Sequence, residues 1–251
     1  MKIDFVIPVR NRDNERIKRC VDGLQTKFTN KIHVIDYGSE IPVKLDNCEV
    51  VRINTKNIWN KAHALNIGVK RCKSEYIGFV DCDMFIGKNF LTKAKPYLSK
   101  SVFVMTRKVR RILPEVLDWG LPSSKLKKIS NNWFAKIPEH YHEAVGGIQI
   151  FHREWIHMIR GCDETLTFWG GIDNDIYERA IRTGLTIIDL NHTIYHQEHK
   201  LQKEQNLPFE QQQQALELRK KRRAYLTMKA TENINVGPEK WGLLNKHQQN
   251  K

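Results

Sequence analysis

Ser74-Glu75-Tyr76-Ile77-Gly78-Phe79-Val80-Asp81-Cys82-Asp83 is an apolar run closed by two carboxylates one residue apart. Residues 75–81 read as a strand that leaves the core and delivers an acidic pair to solvent. The pair alone is a weak signal. Each acidic residue type makes up about 6% of an ordinary chain, so chance supplies about one D-x-D over this length. A second one, Asp173-Asn174-Asp175, is present. Whether Asp81 and Asp83 form a solvated turn or a site is decided by what surrounds them.

Upstream of that run, short apolar stretches alternate with helical patterns, the signature of an α/β sheet. Strands are predicted near 3–8, 31–36, 49–53 and 75–81, and helices near 13–27, 58–72 and, shorter, 88–98. In the second helix Ala62, Leu65 and Val69 make an apolar stripe for the sheet, and Asn57 is available to cap its start. A strand near 101–107 follows. From 108 to 144 the pattern dissolves into Pro114, Pro122, Ser123-Ser124, Lys125, Lys127-Lys128, Asn131-Asn132 and Pro138, as in a functional lid or an irregular insertion. Regular structure is expected again over 144–151, in a helix near 153–160, and in a helix from Asp173 to Arg182 whose buried side is Ile176, Ala180 and Ile181. Strands near 186–190 and 192–196 close this half, and residues 209–230 read as a long polar helix.

The 251 residues carry no repeat and no Gly/Ser/Pro-rich linker, which fits one domain plus an appendage. The expected division is a main domain over 1–200 and a basic, Gln-rich helical extension over 201–251. Within the domain, the expected bounds are 1–107, a flexible loop over 108–144, and 145–200. The start, Ile3-Asp4-Phe5-Val6-Ile7, resembles a core strand, not a signal peptide, and no window reaches the ~18 apolar residues of a membrane span. Five scattered cysteines without C-x-x-C spacing argue for a reducing compartment and against a zinc or disulfide framework. A soluble, cytoplasmic protein is expected. The formal charge of +14, densest at Arg219-Lys220-Lys221-Arg222-Arg223, admits a peripheral contact with an anionic membrane or with DNA.

The first strand runs out through Ile7-Pro8-Val9-Arg10-Asn11-Arg12. Two guanidinium groups just past a strand end can face a polyphosphate, or they can form a solvated basic turn. The second ends at Ile35-Asp36-Tyr37-Gly38-Ser39, where a carboxylate can accept from a base or ribose, or simply begin a turn. With Ile58-Trp59-Asn60-Lys61-Ala62-His63-Ala64-Leu65-Asn66-Ile67-Gly68 and Phe79-Val80-Asp81-Cys82-Asp83-Met84, the first of these stretches resembles three blocks of the GT-A glycosyltransferases. The likeness is to the β-1,4-galactosyltransferase group and the bacterial chondroitin-polymerase-like enzymes. Gly161-Cys162-Asp163-Glu164, followed by Phe168-Trp169-Gly170-Gly171-Ile172-Asp173-Asn174-Asp175, resembles their acceptor-binding and catalytic segment. Tyr195-His196-Gln197-Glu198-His199 resembles the late histidine block.

The resemblance implies a GT-A, Rossmann-like mixed sheet flanked by helices, a UDP-sugar donor, a hydroxyl acceptor and Mn²⁺ or Mg²⁺, with residues 1–200 as the catalytic domain, 1–107 its nucleotide-sugar-binding half and 145–200 its acceptor and catalytic half. Asp83 and His196 would ligate the ion, with Asp81 at the ion or the ribose. His199 is the reserve ligand, and His152 and His192 are open to the same argument. Pro8, Arg10, Arg12, Asp36 and Lys61 would line the donor, and Trp169 would form an aromatic platform or sit in the core. Asp173 would be the base of an inverting transfer, or merely cap its helix. Cys82 is expected to point into the core, on the assumption that residues 81–83 continue the strand alternation. Ile172 departs from the relatives' acidic residue at that position and leaves the acceptor open: a glycan, a lipid-linked sugar or a nucleic-acid base, the last through Lys125, Lys127, Lys128 and residues 219–223. The competing class is a nucleic-acid-binding or scaffolding protein on a degenerate transferase fold.

Overall fold

The computed structural model describes residues 1–87, 89–112, 142–143, 146–167, 171–197, 213, 217 and 241–243. Its centre is the predicted strand Ile3–Val9 (β1), every residue of which is buried. Thr29–Tyr37 (β2) and Tyr76–Val80 (β4) flank it in parallel, and Glu49–Ile53 (β3) extends the sheet beyond β2. On the other side Ile148–His152 (β9) runs antiparallel to β4 and to Val102–Met105 (β6), and Thr186–Asp189 (β10) closes the edge. The order is therefore β10-β6-β9-β4-β1-β2-β3. A smaller sheet, in the order β5-β11-β7-β8, joins Met84–Phe85 (β5), Ile194–Gln197 (β11), Lys108–Ile112 (β7) and His142–Glu143 (β8).

Near-continuous apolar strands require cover on both faces. One face is covered by Asn14–Leu24 (α1) through Ile17, Cys20, Val21 and Leu24, and by Asn89–Ala94 (α3) through Phe90, Leu91 and Ala94. The other is covered by Lys61–Arg71 (α2), Arg153–Met158 (α4) and Ile172–Arg182 (α5). There Phe79, Phe151, Phe103 and Trp155 interlock, with Phe79–Phe151 and Phe151–Trp155 centroids 4.9 and 5.1 Å apart.

Several expectations change. Residues 108–112 are strand, because β11 offers them a parallel partner that no local pattern reveals. Asn60, not Asn57, caps α2, accepting from the His63 amide at 2.9 Å, so the helix starts at Lys61. Ile181 is 45% exposed; Ile172 takes its place on the buried side of α5. The strand ends at Val80, and residues 81–83 form a turn closed by the Met84 amide on the Asp81 carbonyl at 3.0 Å. Cys82 is buried, as expected, but by this turn and not by strand alternation. The helix expected over 209–230 falls outside the described residues except at 213 and 217, both helical.

Residues 241–243 dock on the domain. Trp241 is 2% exposed, with the Lys70 ammonium 3.6 Å from its ring centroid and His157 against its edge. The Gly242 amide donates to Glu164 Oε1 at 2.7 Å, and the Leu243 carbonyl meets His63 Nε2 at 2.9 Å. Gly242 has φ +65°, and a Cβ there would stand 2.8 Å from the Asn66 carbonyl, so only glycine fits. Among the described residues, no helix is long and apolar enough to cross a membrane.

Candidate active site

The site lies at the carboxyl ends of β1, β2 and β4, where open α/β sheets bind ligands. Pro8 sits where β1 has outrun β4, whose pairing ends at Val6–Phe79, so its missing N–H costs no bond on that side. The chain then turns through Asn11, whose φ of +51° asparagine tolerates. Asn11 is pinned to the β2–β3 loop: its amide donates to Ser39 Oγ at 2.9 Å and its Oδ1 accepts from the Glu40 amide at 2.8 Å. These bonds hold the Arg10–Arg12 turn beside the loop after β2. Arg10 donates to the Asn57 carbonyl at 2.5 Å, and Arg12 lies near Cys82.

Asp36 is fully buried and already engaged. It accepts from the amides of Ser39 and Val43 and from Arg52 Nη1 at 2.6 Å, so its carboxylate shapes the loop instead of standing open to a base or ribose. Next to it, Tyr37 packs edge-on against Trp59 and bonds His63 Nδ1 at 3.0 Å.

The acidic turn after β4 is brought against the late histidine by strand pairing. β11 runs antiparallel to β5 with His196 opposite Met84, and the Gln197 amide donates to the Asp83 carbonyl at 2.8 Å. His196 Nε2 consequently lies 3.5 Å from Asp83 Oδ2. A carboxylate and an imidazole facing each other from opposite ends of the chain are a donor set suited to Mn²⁺. His152 is 4% exposed at the other end of β9, against Tyr76, and His192 packs on Phe90; His199 and Trp169 lie outside the described residues.

Lys61, the first residue of α2, links the two D-x-D sequences. Its ammonium is 2.6 Å from Asp81 Oδ1 and 2.9 and 3.0 Å from the two oxygens of Asp173. Burial disfavours charge on this lysine, but the carboxylates Asp173 and Asp81 outweigh it and hold its pKa above the usual range. Burial also pushes Asp81 up to about 6, with repulsion from Asp173 and Asp83 adding to it and Lys61 opposing.

Asp173 is held from behind. Its carbonyl accepts from Gln149 Nε2 at 3.0 Å, and α5 opens at Gly171 with φ +93°. Gly146 backs the carboxylate so closely that a Cβ there would sit 2.5 Å from Asp173 Cγ. No sequence pattern marked Gly146, although β9 runs antiparallel to β4 with Ile148 opposite Val80, which carries the residues before 148 past the end of β4 toward the acidic turn. The second D-x-D divides its labour. Asp173 faces the site, while Asp175 is buried and pairs with Arg179 at 3.4 Å. Arg179, also buried, donates to the Gly161 carbonyl at 2.7 Å and to that of Ile159, bolting α5 to the loop that follows α4. Glu164 accepts from Asn66 at 2.7 Å and from Gly242.

A second grouping of ligand types lies towards the amino end of β1. Asp4, His33 and Cys72 have donor atoms within 4.8 Å of one another. The Asp4 carboxylate accepts five hydrogen bonds, from Asn30, Lys31, Lys73 and both the amide and hydroxyl of Ser74. Burial pushes the Cys72 thiol up, away from thiolate. The grouping reads as a structural node.

Residues 4–159 match the family described as Glycosyl transferase family 2, more than half of the chain. The chain belongs to that family. Residues 127–200 match a second description, the N-terminal domain of galactosyltransferase. Among curated proteins, this family 2 chain is similar to the chondroitin synthase of Escherichia coli, at 23% identity over 78% of its own length and 34% of the relative's. It thus spans about a third of that relative. Among solved structures it is similar to a mannosyltransferase of Pyrobaculum calidifontis in complex with GDP-Man and Mn²⁺: TM-score 0.56, 15% identity, 80% of this chain and 58% of the other. It is also similar to Drosophila β-1,4-galactosyltransferase 7 with manganese, UDP-Gal and xylobiose: TM-score 0.54, 18% identity, 85% and 79% covered. The fold is GT-A, as the resemblance implied. The basic residues behind the nucleic-acid reading, Lys125, Lys127, Lys128 and 219–223, lie outside the described residues.

Proposed function

We propose that this chain transfers a sugar from a UDP-sugar to a hydroxyl of a glycan or lipid-linked sugar, with inversion, using Mn²⁺ or a similar ion. The observation that carries the reading is the convergence of Asp81, Asp83, Lys61, His196 and Asp173 from separate elements at the carboxyl edge of the sheet. Manganese and nucleotide sugars in the similar solved structures support it.

Asp83 and His196 would hold the ion. When bound, it would supply Lewis-acid stabilisation of the charge on the departing diphosphate. Lys61 and the Arg10–Arg12 turn would meet the remaining phosphate charge. Trp59, backed by the buried Tyr37, offers aromatic surface beside the loop ordered by Asp36, where a base can lie. Asp173 would take the acceptor hydroxyl's proton at a carboxylate oxygen as that hydroxyl attacks the anomeric carbon. Gly146 and Gln149 fix the direction from which it acts.

The test is UDP release from a panel of UDP-sugars with Mn²⁺ and then with chelator, read together with UDP binding. Asp83→Ala should abolish metal-dependent UDP binding. Asp173→Asn should keep UDP affinity within about twofold and lower transfer by about 10³-fold, within the range of general-base loss. Equal loss of UDP binding in a folded Asp173→Asn protein would remove the base role.

A further inference from the structure

A donor contact alone does not explain where Lys61 sits. One ammonium is shared between a carboxylate at the end of β4 and both oxygens of a carboxylate at the start of α5, at 2.6, 2.9 and 3.0 Å. Each oxygen of the candidate base thus carries a charged hydrogen bond. Asp81 is held by the same group, two residues from Asp83. The cluster of Asp81, Asp83 and Asp173 would repel itself strongly without a cation, and the Lys61 ammonium supplies one.

We infer that Lys61 is a placeholder cation: without a donor it fills the carboxylate cluster and disfavours metal entry, and the arriving diphosphate draws it away from Asp81 and Asp173. The inference rests on the donor-site reading above. Three features support it. Lys61 stands at the first position of α2, next to the Asn60 cap, so the helix need not move when the side chain does. Its four-carbon stem carries a compact charge able to swing between partners, which a rigid guanidinium fork does less readily. Its side chain is 16% exposed and those of Asp81 and Asp173 are 30% and 27%, so none of the three is sealed from a ligand. An ammonium and a divalent ion compete for the same negative field, whereas diphosphate favours both. By reciprocity of linkage, the factor by which UDP strengthens metal binding is the factor by which metal strengthens UDP binding.

The experiment uses the full chain without acceptor, with Mn²⁺ followed by electron paramagnetic resonance and UDP by calorimetry. Lys61→Met should bind Mn²⁺ in the absence of UDP about tenfold more tightly than the wild type and should bind UDP more weakly, so the mutual enhancement shrinks. Lys61→Arg, which keeps the charge, should retain the weak UDP-free Mn²⁺ binding. Lys61→Gln serves if the methionine variant fails to fold. Unchanged or weaker UDP-free Mn²⁺ binding in a folded, uncharged variant overturns the inference while leaving the donor site standing. No Mn²⁺ binding by the wild type even with saturating UDP sinks the donor-site reading, and the inference with it.

Discussion

At the residue scale, the space behind Asp173 is the sharpest constraint on chemistry. A Cβ on Gly146 would meet Asp173 Cγ at 2.5 Å, so Gly146→Ala must push the carboxylate. A shift of about 1 Å in a reacting group can cost about 10²-fold in rate. The expected result is a transfer rate down by about that factor, with UDP affinity and melting temperature close to wild type. His33 governs a different property. It is 1% exposed, and burial lowers its pKa below 6.5, partly offset by Glu49, whose Oε2 is 3.4 Å from its Nδ1. Below pH 6.5 the unfolded chain binds a proton that the folded one resists, so stability is present above pH 6.5 and is lost as pH falls through the depressed folded value. Urea midpoints at pH 7.5 and 5.5 should differ less in His33→Gln than in the wild type. Burial of His157 acts in the same direction and leaves a residual slope.

At the element scale, α5 carries the candidate base only because its inner face is bolted down. Asp175→Ala removes the partner of a buried guanidinium that keeps two carbonyl acceptors, so the cost belongs at the low end for a broken buried pair, about 3 kcal/mol. Chemical denaturation measures it. Phe151, between Phe79, Phe103 and Trp155, should cost about 3–5 kcal/mol as Phe151→Ala, with the loss read in the same way. The elements themselves were largely legible. β1, β3, β4, α2 and α5 follow from apolar runs and helical stripes, which are local properties. Where several candidates compete locally, packing decides: Asn60 over Asn57 at the cap, Ile172 over Ile181 on the buried side. β7 was hidden because a strand with no alternation of its own is defined by its partner, β11. Among site residues, Asp81, Asp83, Lys61, Asp173 and His196 stand in the blocks whose resemblance to the glycosyltransferases singled them out. The burial of Asp36 and the closeness of Gly146 depend on contacts across the fold and left no mark in spacing, whereas Asp175 and Arg179 stand at the i,i+4 spacing of one helix and only their burial was hidden.

At the scale of the whole molecule, Trp241-Gly242-Leu243 ties the far end of the chain to α2, whose first residue is Lys61. Trp241→Ala should lower stability by about 3 kcal/mol, the low end for a large core aromatic, since the Gly242 and Leu243 bonds remain. Thermal melting with the fold checked by circular dichroism reads it. Trp241 packs against Lys70 of α2, the Gly242 amide donates to Glu164 in the loop between α4 and α5, and the Leu243 carbonyl meets His63 of α2. Three consecutive residues thereby clamp the helix that begins at Lys61 to the loop that leads into the helix of Asp173, so both halves of the candidate site share one brace from elsewhere in the chain.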